Sequence, residues 1–182
     1  MTLDCLVAGL IRPQFVVMVN PLIYPQKIPL PIRFISNNLV DKLVSKLVPT
    51  SFQIRQGFRF VHHNPNIIPP SLFAGYKKLF ELPHFRNSLH KTIRNLSETD
   101  HTNTVQQFSS LHTPAYMIRG MTDRVIVSES FERMRTDFDF KRVFELDKCG
   151  HVPQEECPER FNALIEKILL GEAICEDRKL EQ

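Results

Sequence analysis

The sequence predicts an α/β protein, a parallel sheet with helices packed on it. Three observations carry that expectation. The run FVVMV, Phe15 to Val19, is uninterrupted and rich in β-branched residues, as in a strand covered on both faces. The last third of the chain alternates strand and helix patterns with short connections. The middle carries apolar residues at helical spacing.

Each element follows in order. The segment LDCLVAGLI reads as a short apolar helix stopped by Pro13, and FVVMV is the first strand. NPLIYPQKIPLP is a connector, because its prolines fix φ and remove backbone donors. Roughly 30 to 103 is helical. Leu39, Val40, Leu43, Val44, Leu47 and Val48 form one stripe, ended by Pro49. Leu72, Phe73, Tyr76, Leu79 and Phe80 form a second after Pro69 and Pro70, which suit a helix entrance. Phe85, Leu89, Ile93 and Leu96 form a third. The stripes have two readings, plain core packing and, for some aromatics, the lining of a substrate pocket. PAYMIRG is a strand stopped by Gly120, followed by a helix from Ser128, whose hydroxyl suits a cap. RVFEL, Arg142 to Leu146, is a further strand, and the final helix carries Phe161, Leu164, Ile165, Ile168 and Leu169. The charged residues from Gly171 onward are expected to fray.

Composition narrows the function classes. A chain of 182 residues with 42% hydrophobic content can build one domain with a real core. The formal charge of +3 is mild and its basic residues are spread, which argues against a nucleic-acid partner. No apolar run approaches the roughly 18 residues of a membrane span, and the start lacks the basic leader of a signal peptide. No membrane partner is expected. Cys5, Cys149, Cys157 and Cys175 are scattered without a CxxC and read as reduced thiols of a cytoplasmic protein. Neither a metal nor a cofactor is expected. His62 and His63 are adjacent, but no carboxylate or cysteine accompanies them at ligand spacing, and a solvated loop is the expectation.

In a parallel α/β sheet functional groups gather at the carboxyl ends of the strands. Asp123 lies three residues past Gly120, and His151 ends the next strand in CGHVPQEECPERF. Neighbouring parallel strands would bring these loops together. A carboxylate there would fix the imidazole tautomer and stabilise the imidazolium formed when the second nitrogen takes a proton. Asp147 is a second acid near His151, but it precedes the glycine, and Asp123 is preferred.

The segments LHTPAYMIRGMTDRVIVSESFERM and RVFELDKCGHVPQEECPERFNALIEKIL resemble the C-terminal part of an α/β-hydrolase, over roughly Leu111 to Leu170. HHNPNIIPPSLFAGYKKLFELPHFRNSL is similar to the helical cap of carbon–carbon hydrolases, epoxide hydrolases and dehalogenases, and RPQFVVMVNP to the strand that follows the nucleophile helix. The resemblance implies residues 1–28 and 104–182 as an incomplete core and 29–103 as a helical cap. It implies Asp123 as triad acid, His151 as general base, and Val125 and Val152 as substrate-pocket positions. It implies a Ser-His-Asp hydrolase acting on ester or carbon–carbon bonds of small apolar substrates.

The nucleophile is the missing part. No two of the six glycines lie four apart, so the G-x-S-x-G elbow is not in these 182 residues. Asp4 and Cys5 fall on the helix after the expected elbow position rather than at its tip. Ser128 and Ser130 are near Asp123, and Ser36, Ser45, Ser51 and Ser71 fall in the cap helices or at their ends. Three readings follow. The chain is a truncated hydrolase, inactive alone and prone to self-association. It is a non-catalytic binding module, for instance paired with a separate N-terminal half. Or the missing nucleophile was an aspartate, as in dehalogenases and epoxide hydrolases.

Overall fold

A computed structural model describes residues 2–26, 38–98 and 100–172. Its centre is a three-stranded parallel sheet in the order β1 (Val16–Val19), β2 (Ala115–Gly120), β3 (Phe140–Leu146). Val16 lies opposite Ala115 and Val19 opposite Ile118. Between β2 and β3 the register slips once, so that Ala115 faces Phe140 and Tyr116 faces Arg142. The extra residue is a bulge at the start of the pairing, far from the carboxyl ends. Every residue of β2 is buried, as expected of a central strand with a partner on both edges.

Both faces of the sheet are covered. Helix α1 (Thr2–Val7), α6 (Thr102–Ser110) and α7 (Ser128–Asp137) pack on one face. There Leu6, Val105, Phe108, Phe131 and Met134 meet Met18, Ala115 and Met117 in the main core. On the other face α9 (Pro158–Leu169) lays Phe161, Leu164 and Ile165 over Ile118, Leu146, Val17 and Val19. The i, i+3, i+4, i+7 spacing of Phe161, Leu164, Ile165 and Ile168 puts these residues on one side of that helix.

Between β1 and β2 the described chain is helical: α2 (Asn38–Leu47), α3 (Thr50–Val61), a 3-10 turn (Pro65–Ile67), α4 (Pro70–Glu81) and α5 (Phe85–Glu98). Phe58 of α3 organises them. Its ring contacts His62, Phe73 and Tyr76 at centroid distances of 5.3, 6.1 and 5.0 Å, so the aromatics of α4 pack on α3 from one side. The contacts with His62 and Tyr76 are edge-to-face and that with Phe73 is tilted; an aromatic pair of this kind adds about 1 kcal/mol beyond area burial.

Five expectations change. Helix α3 is a separate element within the helical region, where sequence spacing marked only its neighbours, and α6 precedes β2 where no helix was marked. The stripe of α2 does not fill a core along its length, since Leu43 and Leu47 are 59% and 72% exposed. Ser128 is no cap. The cap position is Val127, with no side-chain bond, and the Ser128 hydroxyl instead accepts a 3.4 Å bond from Arg119 Nη2. His62 is not in a solvated loop but is 1% exposed beneath the α3–α4 aromatics. Ser36, Cys175, the end of the proline-rich connector, and nearly all of the tail expected to fray lie outside the described residues, as do the side chains of Leu39, Ser45 and Leu96.

Met117 has no exposed surface at the sheet centre. Met117→Ala is expected to cost about 3 kcal/mol by removing buried methylenes and leaving a cavity. Urea unfolding of the chain measures it, and a loss below 1 kcal/mol would place this residue outside the core.

Candidate active site

The site forms where β2 and β3 end. Three residues past Gly120 the chain reaches Asp123, whose Oδ1 accepts the backbone N–H of Val125 at 2.7 Å and of Ile126 at 3.2 Å. That Asx-type turn fixes the side chain by local geometry. It leaves Oδ2 for the loop after β3, and His151 Nδ1 lies 2.9 Å from it. The carboxylate is 1% exposed and the imidazole 27%. Three donors therefore converge on a carboxylate removed from water, which offsets its desolvation. A nitrogen facing a carboxylate carries the proton, so Nδ1 donates and Nε2 keeps its lone pair. Such an imidazole can accept a proton at Nε2, with the resulting cation stabilised by Asp123.

The loop that carries His151 is held by its backbone. Thr122 donates to the Cys149 carbonyl twice, from its N–H at 3.0 Å and from its hydroxyl at 2.9 Å. His151 N–H donates to the Val61 carbonyl at 2.7 Å, tying the loop to the end of α3. Two polar side chains that the sequence reading did not single out complete the frame. Asn20, just past β1, is 3% exposed. Its amide donates to the carbonyls of Gly150 and His151 at 3.1 and 2.9 Å, and its oxygen accepts the Gly120 N–H at 2.9 Å. One side chain thus joins the ends of all three strands. Glu156, in the short helix α8 (Pro153–Glu156), is 7% exposed and bridges the Gly150 N–H at 2.6 Å and the Asn64 N–H at 2.7 Å. The signal in sequence was faint: a polar residue closing an apolar strand, and an acid after Pro153.

Close backbone approach needs glycine here. A Cβ at Gly120 would collide with the carbonyls of Gly150 and Cys149, and one at Gly150 with the Val61 carbonyl and the His63 N–H. The helical segment is locked to the same place by Tyr76, whose hydroxyl donates to Glu155 at 2.9 Å. Burial, reinforced by that bond to the carboxylate, pushes the Tyr76 phenol up to about 12, so it remains a donor at neutral pH. Beside it His62 Nδ1 lies 3.2 Å from the Phe58 carbonyl, with Nε2 3.6 Å from Glu155.

Of the other sequence candidates, Val125 is half-buried and packs against the main core, while its carbonyl accepts from Gln26 at 2.6 Å. Val152 is half-buried and its carbonyl starts α8. Asp147 is exposed in the turn after β3, where its carbonyl accepts from Arg160 at 2.8 Å. Asp4 bonds Thr104 at 3.0 Å on the outside of α1. Ser130 is buried, its hydroxyl 3.4 Å from the Gln26 side-chain oxygen. The imidazole and Asp123 are thus brought together, and the Ser130 hydroxyl lies against Gln26 instead.

Sequence comparison finds no match, neither to a protein-family model nor to a curated protein. Comparison of structures does. The haloalkane dehalogenase DatA from Agrobacterium tumefaciens C58 superposes with a TM-score of 0.73 at 14% identity, over 93% of this chain and 62% of its own. The meta-cleavage product hydrolase CumD from Pseudomonas fluorescens IP01 gives 0.70 at 15%, over 94% and 61%. The hydrolase BphD from Rhodococcus sp. strain RHA1 gives 0.68 at 14%, over 93% and 59%. This chain has part of the α/β-hydrolase fold. It spans about 60% of the length of the α/β-hydrolases it matches. Within that fold the observed sheet is three parallel strands with helices on both faces, and no described helix is long and apolar enough to cross a membrane.

Asn20→Leu keeps the volume but removes three hydrogen bonds and strands the buried Gly120 N–H. The expected loss is about 3 kcal/mol, with faster hydrogen exchange at Gly120 and at the neighbouring His151 loop. Denaturant unfolding and amide exchange measure both; unchanged exchange at these sites would mean that Asn20 does not hold the loop.

Proposed function

We propose that Asp123 and His151 are the acid and base of a hydrolase triad, and that the nucleophile comes from polypeptide outside these 182 residues. The observation that carries the proposal is the 2.9 Å bond between a buried, turn-fixed carboxylate and a partly open imidazole. In the reaction a serine hydroxyl gives its proton to His151 Nε2 as its oxygen attacks a carbonyl carbon. Asp123 holds the tautomer and offsets the charge. The imidazolium then returns the proton to the leaving group, and water repeats the sequence to release the acyl enzyme.

The groove beside β1 supports a partner segment. It measures about 270 Å³, and Leu3, Val16, Met18, Leu22, Ile23 and His101 line it. Among the described residues β1 pairs on one side only, with β2. A strand bearing the nucleophile would pair there and cover this apolar wall. The described helices α2 to α5 act in this reading as a cap over the site, and Val125 and Val152 border the substrate. The meta-cleavage product hydrolases among the structural neighbours favour a small apolar substrate with an ester or carbon–carbon bond. We place the protein in the cytoplasm on its free cysteines, which lack a CxxC, and we assign it neither nucleic-acid nor membrane partners. The dehalogenase neighbour favours a second reading, in which the nucleophile is an aspartate and His151 activates water. A chain that only binds, without catalysis, is the third.

The test uses the product as it occurs in its native cell, captured by an antibody to α9. It should hydrolyse a short-chain p-nitrophenyl ester or a vinylogous diketone. His151→Ala in that product should lower kcat by about 10³-fold or more, with Asp123→Asn close behind. The 182-residue chain expressed alone should remain at the buffer rate. Halide release from a haloalkane instead would favour the aspartate nucleophile. A native product with no hydrolytic activity on any of these would favour the binding module.

A further inference from the structure

The segment that carries His151 is bracketed by two cysteines. Cys149 precedes it by two residues, and Cys157 sits at the junction of α8 and α9. Their Sγ atoms lie 2.7 Å apart. Cys149 has no exposed surface, packed with Ile118, Leu146 and Phe144, while Cys157 is half-buried. The pair therefore has one face that solvent can reach and one that it cannot. The backbone around it is pinned independently of the sulfurs, by Thr122 on the Cys149 carbonyl and by the Cys157 N–H donating to the Pro153 carbonyl at 2.9 Å. The frame holds both side chains against each other without relying on a bond between them.

We propose that Cys149 and Cys157 form an oxidisable dithiol site, converted to an intramolecular disulfide by a low-molecular-weight disulfide such as glutathione disulfide. The order of events follows from exposure. The Cys157 thiolate attacks one sulfur of glutathione disulfide, that sulfur–sulfur bond breaks, and one glutathione leaves as thiolate. Cys149 then attacks the Cys157 sulfur of the mixed disulfide and expels the second glutathione, its proton passing to the departing thiolate. Two protein thiols are oxidised and one glutathione disulfide is reduced to two thiols, so electrons and protons balance. Burial, together with the contact to Cys157, pushes the Cys149 thiol up, which suits it to the second step, against a disulfide already in contact, rather than to attack on a reagent in solvent.

The product would close a ring from Cys149 to Cys157 around His151. A cross-link of this kind stabilises chiefly by restricting the unfolded chain. Reduced and oxidised forms should therefore differ in thermal stability and in amide exchange at Gly150 and His151. This holds whether or not the His151–Asp123 pair serves hydrolysis, since the readouts are mass and exchange rather than activity.

The experiment treats the folded, reduced chain with glutathione disulfide, alkylates with iodoacetamide, and digests with trypsin. Both cysteines fall in one peptide, CGHVPQEECPER, Cys149 to Arg160. The expected product is that peptide lacking two hydrogens, unalkylated and free of glutathione, with a raised Tm and slowed exchange at Gly150. Reduction with a phosphine should reverse all of these. In Cys157→Ser the product should vanish, with no glutathione on Cys149. A stable glutathione adduct on Cys157 with Cys149 still open to alkylation after unfolding would overturn the proposal. So would a link from either residue to Cys5 or Cys175, or a fully alkylated peptide from a chain whose Cys5 has been oxidised.

Discussion

Bare backbone meeting bare backbone at Gly120 and Gly150 is the constraint on which the site depends. The loop after β3 passes so close to the end of β2 that neither position has room for a Cβ. That approach lets Thr122 reach the Cys149 carbonyl and lets Asn20 reach both loops from β1. It also sets the distance over which Asp123 and His151 meet. A strand end is otherwise a poor place to hold a side chain, because its last backbone groups lack ladder partners. Here those groups are paired by Asn20, Glu156 and Val61, so the imbalance is resolved within the frame that aims the imidazole. The helical segment contributes to that frame through Val61, Asn64 and Tyr76.

The strands were legible in the sequence because each is a short β-rich run bounded by Pro, Gly or polar residues, and a parallel sheet leaves such runs without alternation. The meeting of Asp123 with His151 was legible because parallel strands place successive loops side by side. Helix α3 was not separated from its neighbours. Its residues Gln53, Arg55, Gln56, Gly57 and Arg59 dilute the stripe, and Ile54 and Phe58 alone are fully buried on it. Asn20 and Glu156 were only faintly legible, for a different reason. Asn20 bonds residues at least 100 positions away, and no local pattern encodes such a partner. His62 misled because an adjacent histidine pair reads as polar, whereas the helix end turns one ring inward under Phe58 and leaves the other out.

Fold and activity separate here. The α/β-hydrolase fold accommodates several chemistries, and the solved structures that this chain resembles include a haloalkane dehalogenase and a meta-cleavage product hydrolase at 14% and 15% identity. What distinguishes those chemistries is the nucleophile and the groups that stabilise its transition state, and these 182 residues contain no G-x-S-x-G motif. What the chain does present is the buried Asp123 carboxylate 2.9 Å from the His151 imidazole. Its logic is general: a carboxylate fixed by a turn, an imidazole fixed by that carboxylate, and an open nitrogen for the reaction.

The most direct measurement of this account is the tautomer of His151 by ¹⁵N NMR of the imidazole at neutral pH. The expected result is a proton on Nδ1, with a strongly downfield resonance from its bond to Asp123, and a bare Nε2. Asp123→Asn should remove the downfield signal while the fold persists. A neutral His151 protonated on Nε2, or a spectrum indifferent to Asp123→Asn, would contradict the acid–base pair on which the proposed function stands.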